Sequence, residues 1–368
     1  MSSYKDRIRQ HIRKLWPTDI PELRKFQREL FGGPNAIQAQ EKHHQWLFDH
    51  NPFNDGDAPQ FWIYRDDKGI IRGQQAGIPY VLQGANESWR ASWGIDLMLS
   101  PEYRSRGVGA VLNSEYMETN EVTTAIGITE VARKAHCRAG WLDLGTIPLY
   151  ARPISTEGVQ AGFPTSTLQG RLAVLFVWPL LRLLENVWLF YVRLRGIRLE
   201  PIKKFDERVD AVWERIRSYY PILGRRDLKS LRWRFDAAPQ PERYHKYYLY
   251  QGPRLRGYAV ICYGKRGDRP AAVLTDFLCP PDLQKALFAL CVTASRSKGA
   301  NDLHCAVLSP HITTADMTMV GFLPLPHRSR FMAFTDKIRG PSRALLADPK
   351  KWFITMASSD MEWMYFLG

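Results

Sequence analysis

The chain has 368 residues, and because single cores seldom grow much beyond about 250 residues, two domains are expected. Its 45% hydrophobic and 12% aromatic content exclude a disordered chain and predict that both halves bury cores. Lys and Arg outnumber Asp and Glu by 51 to 37, and this +14 surplus favours anionic partners: phosphorylated cofactors, nucleotide sugars, acidic lipid headgroups or nucleic acid.

The N-terminus is basic and amphipathic, with Ile8, Ile12, Leu15 and Trp16 among Arg7, Arg9, Arg13 and Lys14. No apolar core of a secretory signal follows it, so a cytoplasmic location is expected. The five cysteines contain no C-x-x-C pair and no zinc-ligand spacing, which predicts reduced, mostly buried thiols and no metal site. A first helix is bracketed by Pro21 and Gly32-Gly33. His43, His44 and His50 follow; adjacent histidines on a helix point apart and no matching acidic or Cys ligand exists, so they suit an acceptor pocket better than a metal. Two strands then flank the turn Asp66-Asp67-Lys68-Gly69, and another runs from Trp93 to Leu99 and stops at Pro101. Helices are expected from near Gly109 and from about Glu130, the latter burying Val131, Ala132, Ala135 and Ala139.

The apolar run Leu172 to Val192 is broken by Arg182, Glu185 and Asn186 and carries Pro179, so it does not read as a membrane span. Two arrangements fit it: a buried helix between domains, or an interfacial helix in peripheral membrane contact through 172–198, because Arg193, Arg195 and Arg198 follow at once.

The second half repeats landmarks of the first in order. Trp46-Leu47-Phe48-Asp49-His50-Asn51-Pro52 is echoed by Trp233-Arg234-Phe235-Asp236-Ala237-Ala238-Pro239, and Tyr64, Pro101 and Gly140-Trp141 by Tyr250, Pro280 and Gly321-Phe322. A duplicated fold is expected. In the first copy the strand leads into Arg104-Ser105-Arg106-Gly107-Val108-Gly109-Ala110, where two glycines allow close backbone approach and a helix N-terminus adds partial positive charge: a pyrophosphate cradle with two arginines at its rim. In the second copy the same place reads Cys279-Pro280-Pro281-Asp282, which removes N–H donors and adds a like charge, so no pyrophosphate site is expected there.

Arg104, Gly107 and Gly109, after a strand ending Leu97-Met98-Leu99-Ser100-Pro101-Glu102-Tyr103, fill the R-x-x-G-x-G pattern, and a helix ending in Gly140-Trp141 follows. The chain here resembles the GNAT (GCN5-related) N-acetyltransferase superfamily. The resemblance implies an α/β fold of the α+β type: two tandem domains, each a mixed, mostly antiparallel sheet flanked by helices. Domain ranges of 1–165 (cofactor-binding), 166–200 (connecting helix), 201–336 (degenerate copy) and 337–368 (C-terminal extension) follow. It implies acetyl-CoA, or another acyl-CoA, held by Leu97, Met98, Leu99, Arg104 to Ala110 and Thr129, with backbone N–H groups at Met98 and Leu99 polarising the thioester.

Alignment with the family's second motif puts His136 where the family carries a tyrosine that protonates the departing thiolate. His136 is therefore either that acid or a ring covering the helix's core face. Asp96, the one carboxylate within the Trp93–Ser100 strand, is the candidate base, ahead of Glu87 and Glu102. Strand interiors disfavour Asp, which calls for a reason: function, an outward face, or a hydrogen bond to a loop. The expected reaction is direct acyl transfer to a small amine, with an amino sugar or nucleotide sugar suggested by analogy with tandem relatives. The rivals are a non-catalytic acyl-CoA or partner-binding module and a FemABX-like aminoacyl transferase. No stacking stripe or helix-turn-helix pattern supports nucleic-acid binding.

Overall fold

A computed structural model describes residues 4–33, 36–54, 59–161 and 168–367. The strands of the first half are β1 (Ile12–Lys14), β2 (Phe61–Arg65), β3 (Ile71–Gln83), β4 (Ser88–Leu99), β5 (Val122–Ile126) and β6 (Leu142–Pro153). Those of the second half are β7 (Ile197–Ile202), β8 (Ile222–Gly224), β9 (Tyr244–Gln251), β10 (Arg254–Arg266), β11 (Arg269–Leu278), β12 (Asp302–Leu308), β13 (Leu323–Phe334) and β14 (Trp352–Thr355). The helices used below are α1 (Tyr4–Arg9), α2 (Ile20–Leu30), α3 (Val108–Glu118), α4 (Glu130–Arg138), α5 (Leu168–Leu194) and α6 (Gln284–Ser297).

The chain divides into two compact units that are interleaved in sequence. Unit 1 comprises Met1–Gly145, Ala237–Pro239 and Arg330–Pro349; unit 2 comprises Thr146–Asp236, Gln240–Ser329 and Lys350–Gly368. The ranges expected from sequence are corrected accordingly. Position 165 lies outside the described residues and the change of unit comes at Gly145, the helical segment 168–194 belongs to unit 2, and the C-terminal extension is shared between the units.

Pairing explains the interleaving. In unit 1, β1, β2, β3 and β4 pair antiparallel in that order, β4 pairs parallel with β5, and β5 pairs antiparallel with the end of β13, Phe331 to Phe334. In unit 2, β7, β9, β10 and β11 pair antiparallel, β11 pairs parallel with β12, and β12 pairs antiparallel with the Leu149 to Pro153 end of β6. The two orders are the same, so the duplication read from the sequence is a duplication of topology. Each sheet is closed by a strand from the opposite half of the chain. The tryptophan echo has a structural counterpart as well: in each half a short α-helix, Glu41–His44 or Leu228–Leu231, continues as a π-turn, Gln45–Asp49 or Arg232–Asp236.

In both units the parallel pair is brief. β4 and β5 share three residue pairs, Ala91↔Val122 to Trp93↔Thr124, and β11 and β12 share three, Ala271↔Asp302 to Val273↔His304. Beyond them the strands part, and the backbone facing the gap needs other partners. Unit 2 fills its gap with its own chain: β14 pairs with Val307 and Leu308 of β12 on one edge and runs parallel to β8 on the other. Trp352 and Phe353 are fully buried, and the Phe353 ring meets Phe277 of β11 edge-on at 5.4 Å. A buried polar cluster pins this insert to β11. Asp276 accepts hydrogen bonds from Thr355 and Tyr258, both at 2.7 Å, and from Arg226 at 3.2 Å.

The unit 2 helix α5 departs from the expectation of a buried connector. It runs unbroken through Pro179, its Val174–Leu194 part is long and apolar enough to cross a membrane, and little of that part is buried. What is buried is one edge: Leu181, Glu185 and Val192, with Arg152 donating to Leu181 O at 2.8 Å.

Breaking a buried ion pair by removing one partner costs about 3–5 kcal/mol, because a charge is left uncompensated. Asp276→Asn is therefore expected to lower the unfolding free energy by roughly 3 kcal/mol, against about 1 kcal/mol for Thr355→Val. Urea unfolding followed by near-ultraviolet dichroism measures both, and equal small losses would show that the cluster does not pin β14.

Candidate functional site: an open strand pair and an anion loop in unit 1

In unit 1 no strand occupies the corresponding gap among the described residues. β4 continues past Trp93 to Leu99 while β5 turns its far edge to β13. The free stretch of β4 is reshaped by a bulge. Gln74 faces Met98 and Ala76 faces Ile95, so Asp96 and Leu97 together oppose Gln75. Asp96 sits at φ 54°, a left-handed conformation that few non-glycine residues adopt and that Asp tolerates better than most. The left-handed backbone is a further reason for an Asp in this strand, beside function, an outward face or a loop hydrogen bond. Two buried glutamines brace the bulge: Gln74 donates to Asp96 O at 3.2 Å and Gln75 to Ile95 O at 3.1 Å.

After the bulge, Ser100 N–H donates to Arg72 O of β3 at 2.8 Å. Successive residues of a strand point their backbone N–H and C=O groups to opposite edges, so those of Leu99 turn away from β3. Leu99 O confirms the direction, since it accepts a hydrogen bond from Arg104 Nε at 3.2 Å. The Met98 and Leu99 N–H groups expected to face a thioester both lie on this stretch of β4, after the bulge.

The loop that follows combines two left-handed residues, Ser105 at φ 61° and Gly107 at φ 78°, and Gly107 is the N-cap of α3. Such turns aim successive N–H groups into one concavity. The α3 ladder begins with Ala110 and Val111 donating to Gly107 O, so the N–H groups ahead of them lie at the helix mouth, where the dipole favours an anion. Gly109 packs closely: a Cβ there would come within 3.3 Å of Leu99 Cδ1, so a larger residue would require that side chain to shift. Arg104, Ser105 and Arg106 are exposed, and the Arg106 guanidinium lies 5.7 Å from the Tyr103 ring centroid.

A core holds this loop in place. Val108, Val111, Leu112 and Tyr116 of α3 pack with Trp62, Tyr64 and Ile8 of α1, and Leu97, Leu99 and Tyr103 lie against them. Tyr4 donates to Arg106 O at 3.0 Å, so the basic N-terminal helix buttresses the cradle. Amphipathicity is the one sequence signal that bears on that role.

Thr129 caps α4, its hydroxyl accepting from Ala132 N at 3.3 Å. The expected buried face of α4 is corrected: Val131 is 82% exposed, Ala135 and Ala139 are exposed, and His136 is the residue that turns inward. Its Nδ1–H donates to Ala132 O at 2.7 Å and its ring meets Trp141 edge-on at 4.6 Å. Burial lowers the His136 pKa, with the Ala132 hydrogen bond opposing it, so the neutral ring is favoured. That setting matches the core-covering reading and works against a protonated acid at neutral pH. Of the other carboxylates, Glu102 pairs with Arg72 at 3.4 Å, and Glu87 lies before the opposite end of β4, bonded to Ser342. His43 and His44 are buried against Trp46 and Phe48, and the described residues contain no His, Cys or carboxylate group able to hold a metal.

In unit 2 the corresponding helix mouth is closed. α6 begins at Gln284 directly after the turn Pro281–Leu283, and the buried Gln284 side chain donates to Tyr220 Oη at 2.9 Å.

No protein-family profile and no curated protein sequence matches the chain. Solved structures do. A GCN5-related N-acetyltransferase from Anabaena variabilis superposes with a TM-score of 0.60 at 11% identity, covering 92% of this chain and 74% of that one. A Saccharomyces cerevisiae N-myristoyltransferase with bound myristoyl-CoA gives 0.55 at 12% identity, covering 88% and 78%. A probable N-acyltransferase from Enterococcus faecalis gives 0.56 at 11% identity, covering 88% and 71%. The chain therefore has a GNAT-like fold, and the matches extend over both of its halves.

His136 is expected to titrate below the ordinary value of about 6.5 in an NMR pH series. Because the folded-state pKa is the lower one, the neutral ring stabilises the fold at pH 7 and that contribution is lost as pH falls below the unfolded value. His136→Phe should accordingly flatten the stability loss between about pH 7 and 5. A midpoint at or above the ordinary value would restore the proton-donor reading.

Proposed function

We propose that the chain is an acyl-CoA-dependent N-acyltransferase. The observation that carries this reading is the conjunction, in one unit, of a parted parallel strand pair, a bulge at Asp96 and an anion loop opening α3. The loop from Arg104 to Ala110 would hold a diphosphate, and an extended pantetheine arm would run along the open edge of β4 toward Leu97 and Leu99. Their N–H groups would stabilise charge on the thioester oxygen. Attack by the acceptor nitrogen forms the C–N bond and breaks the C–S bond. The amine's proton leaves to Asp96 or to water, and the thiolate takes up a proton. The likeness to acetyl- and myristoyl-transferring folds supports the class without choosing the acyl chain; acetyl is the simplest donor, and of the two expected acceptors, an amino sugar or a nucleotide sugar, the anionic nucleotide sugar suits the basic surplus. The cytoplasm supplies acyl-CoA.

The filled gap of unit 2 supports a single cofactor site per chain. Calorimetry with CoA is expected to give one site, and Gly107→Glu to abolish it by adding an anion and a side chain at a left-handed position. Two equivalent sites would sink the assignment.

The left-handed backbone at Asp96 makes a three-variant test informative. If its carboxylate is the base, Asp96→Asn and Asp96→Gly both lower kcat, by about 10²–10⁴-fold, with CoA affinity retained. If Asp96 serves only the bulge, Asn and Gly keep activity because both tolerate positive φ, and only Asp96→Ala loses it. A chain that binds CoA in calorimetry yet acylates no amine would instead be a binding module, the reading favoured by His136 standing where the family has tyrosine.

A further inference from the structure

Helix α5 carries an apolar stripe that its own unit leaves uncovered. Phe176, Leu180, Leu183, Val187, Phe190 and Leu194 are each more than half exposed, at alternating spacings of four and three residues, which places them along one face roughly 27 Å long. On its other side the helix is committed to unit 2. Leu181 and Val192 are buried, and Trp188 Nε1 donates to Met319 O at 2.9 Å, so the exposed Met319 adjoins the helix. The one acid of α5, Glu185, faces inward as well, bound by Arg296 at 2.6 Å and Arg182 at 3.1 Å. A helix held in this way lies on a surface and does not thread a bilayer, because threading would carry the Glu185 ion pairs into hydrocarbon.

Charge identifies what covers the stripe. The exposed face of α5 carries no carboxylate, and its last turn and the segment after it present Arg193, Arg195, Arg198, Lys203 and Lys204. Glu200, paired with Arg198 at 2.8 Å, is the only acid from 193 to 204. A second copy packed on this stripe would bring arginines and leucines against the same, with no acid flanking the seam to pair with them. An apolar face ending in arginines, with the half-buried Trp178, Trp188 and Tyr191 beside it, matches the boundary between acyl chains and acidic headgroups. We propose that α5 docks unit 2 onto an anionic bilayer surface, the stripe entering the acyl region and the arginines meeting the headgroups.

The test is vesicle co-sedimentation of the full chain, without CoA or amine, so it stands apart from the acyltransferase reading. Phosphatidylcholine vesicles are compared with vesicles containing about a third phosphatidylserine. The wild type is expected to bind the anionic vesicles at least about tenfold more strongly, with binding falling as salt rises. Phe176→Ser with Phe190→Ser should reduce that binding about tenfold or more, while Phe190→Leu retains it. Unchanged thermal melting of the variants shows that the fold is kept. Binding that survives the double serine change overturns the proposal. So does a wild type that ignores vesicles, whether it remains monomeric or forms a dimer that the serine variant breaks; the dimer would assign the stripe to a second copy.

Discussion

A parallel strand pair that parts after three residues is the constraint on which both units are built. Backbone N–H and C=O groups turned toward the gap must find partners, and strands of one protein rarely leave them without any. Unit 2 meets the requirement internally by inserting β14 and locking it to β11 through Asp276, Thr355 and Arg226. In unit 1 no described strand enters the gap, and it is along this stretch of β4 that the proposed cofactor arm would run. One strand order written twice thus leaves a gap that β14 meets in unit 2 and that no described strand enters in unit 1.

The receptive gap is useful because its two ends are fixed before any ligand arrives. At one end the glutamine-braced bulge holds Asp96 at positive φ. At the other, the core beneath α3 fixes the loop in which Ser105 and Gly107 take left-handed conformations. Groups already aimed need little reorganisation when charge appears. The strained backbone at Asp96 also changes how a strand carboxylate should be judged: its residue type satisfies local geometry as well as any chemistry it performs.

Much of this was legible in the chain. The glycine loop after a proline-terminated strand, and the paired tryptophan segments, are local patterns whose meaning survives without knowledge of neighbours. They placed a glycine loop at the start of α3 and a repeat of strand order, and both are present in the structure. What the sequence hid depends on partners far along the chain. Trp352–Thr355 is a short, mostly apolar run following two lysines, and nothing in it specifies pairing with β12 and β8. The apolar content of α5 could not distinguish a covered helix from an uncovered one, since periodicity reports that an apolar face exists and not what meets it. The alanines of α4 misled for a related reason: small residues tolerate exposure, and the inward position fell to His136.

The reciprocal origin of β6 and β13 carries a consequence for biosynthesis. The strand that completes the first sheet, Phe331 to Phe334, leaves the ribosome about two hundred residues after β5, which it must join. Until then β5 presents an unsatisfied edge, the kind of surface on which nascent chains aggregate or recruit chaperones. Neither unit can be completed by translation of its own half, so the two are inherited, expressed and lost together. A fragment ending after the anion loop would hold every residue of the cradle and still lack the strand that finishes the sheet beneath it.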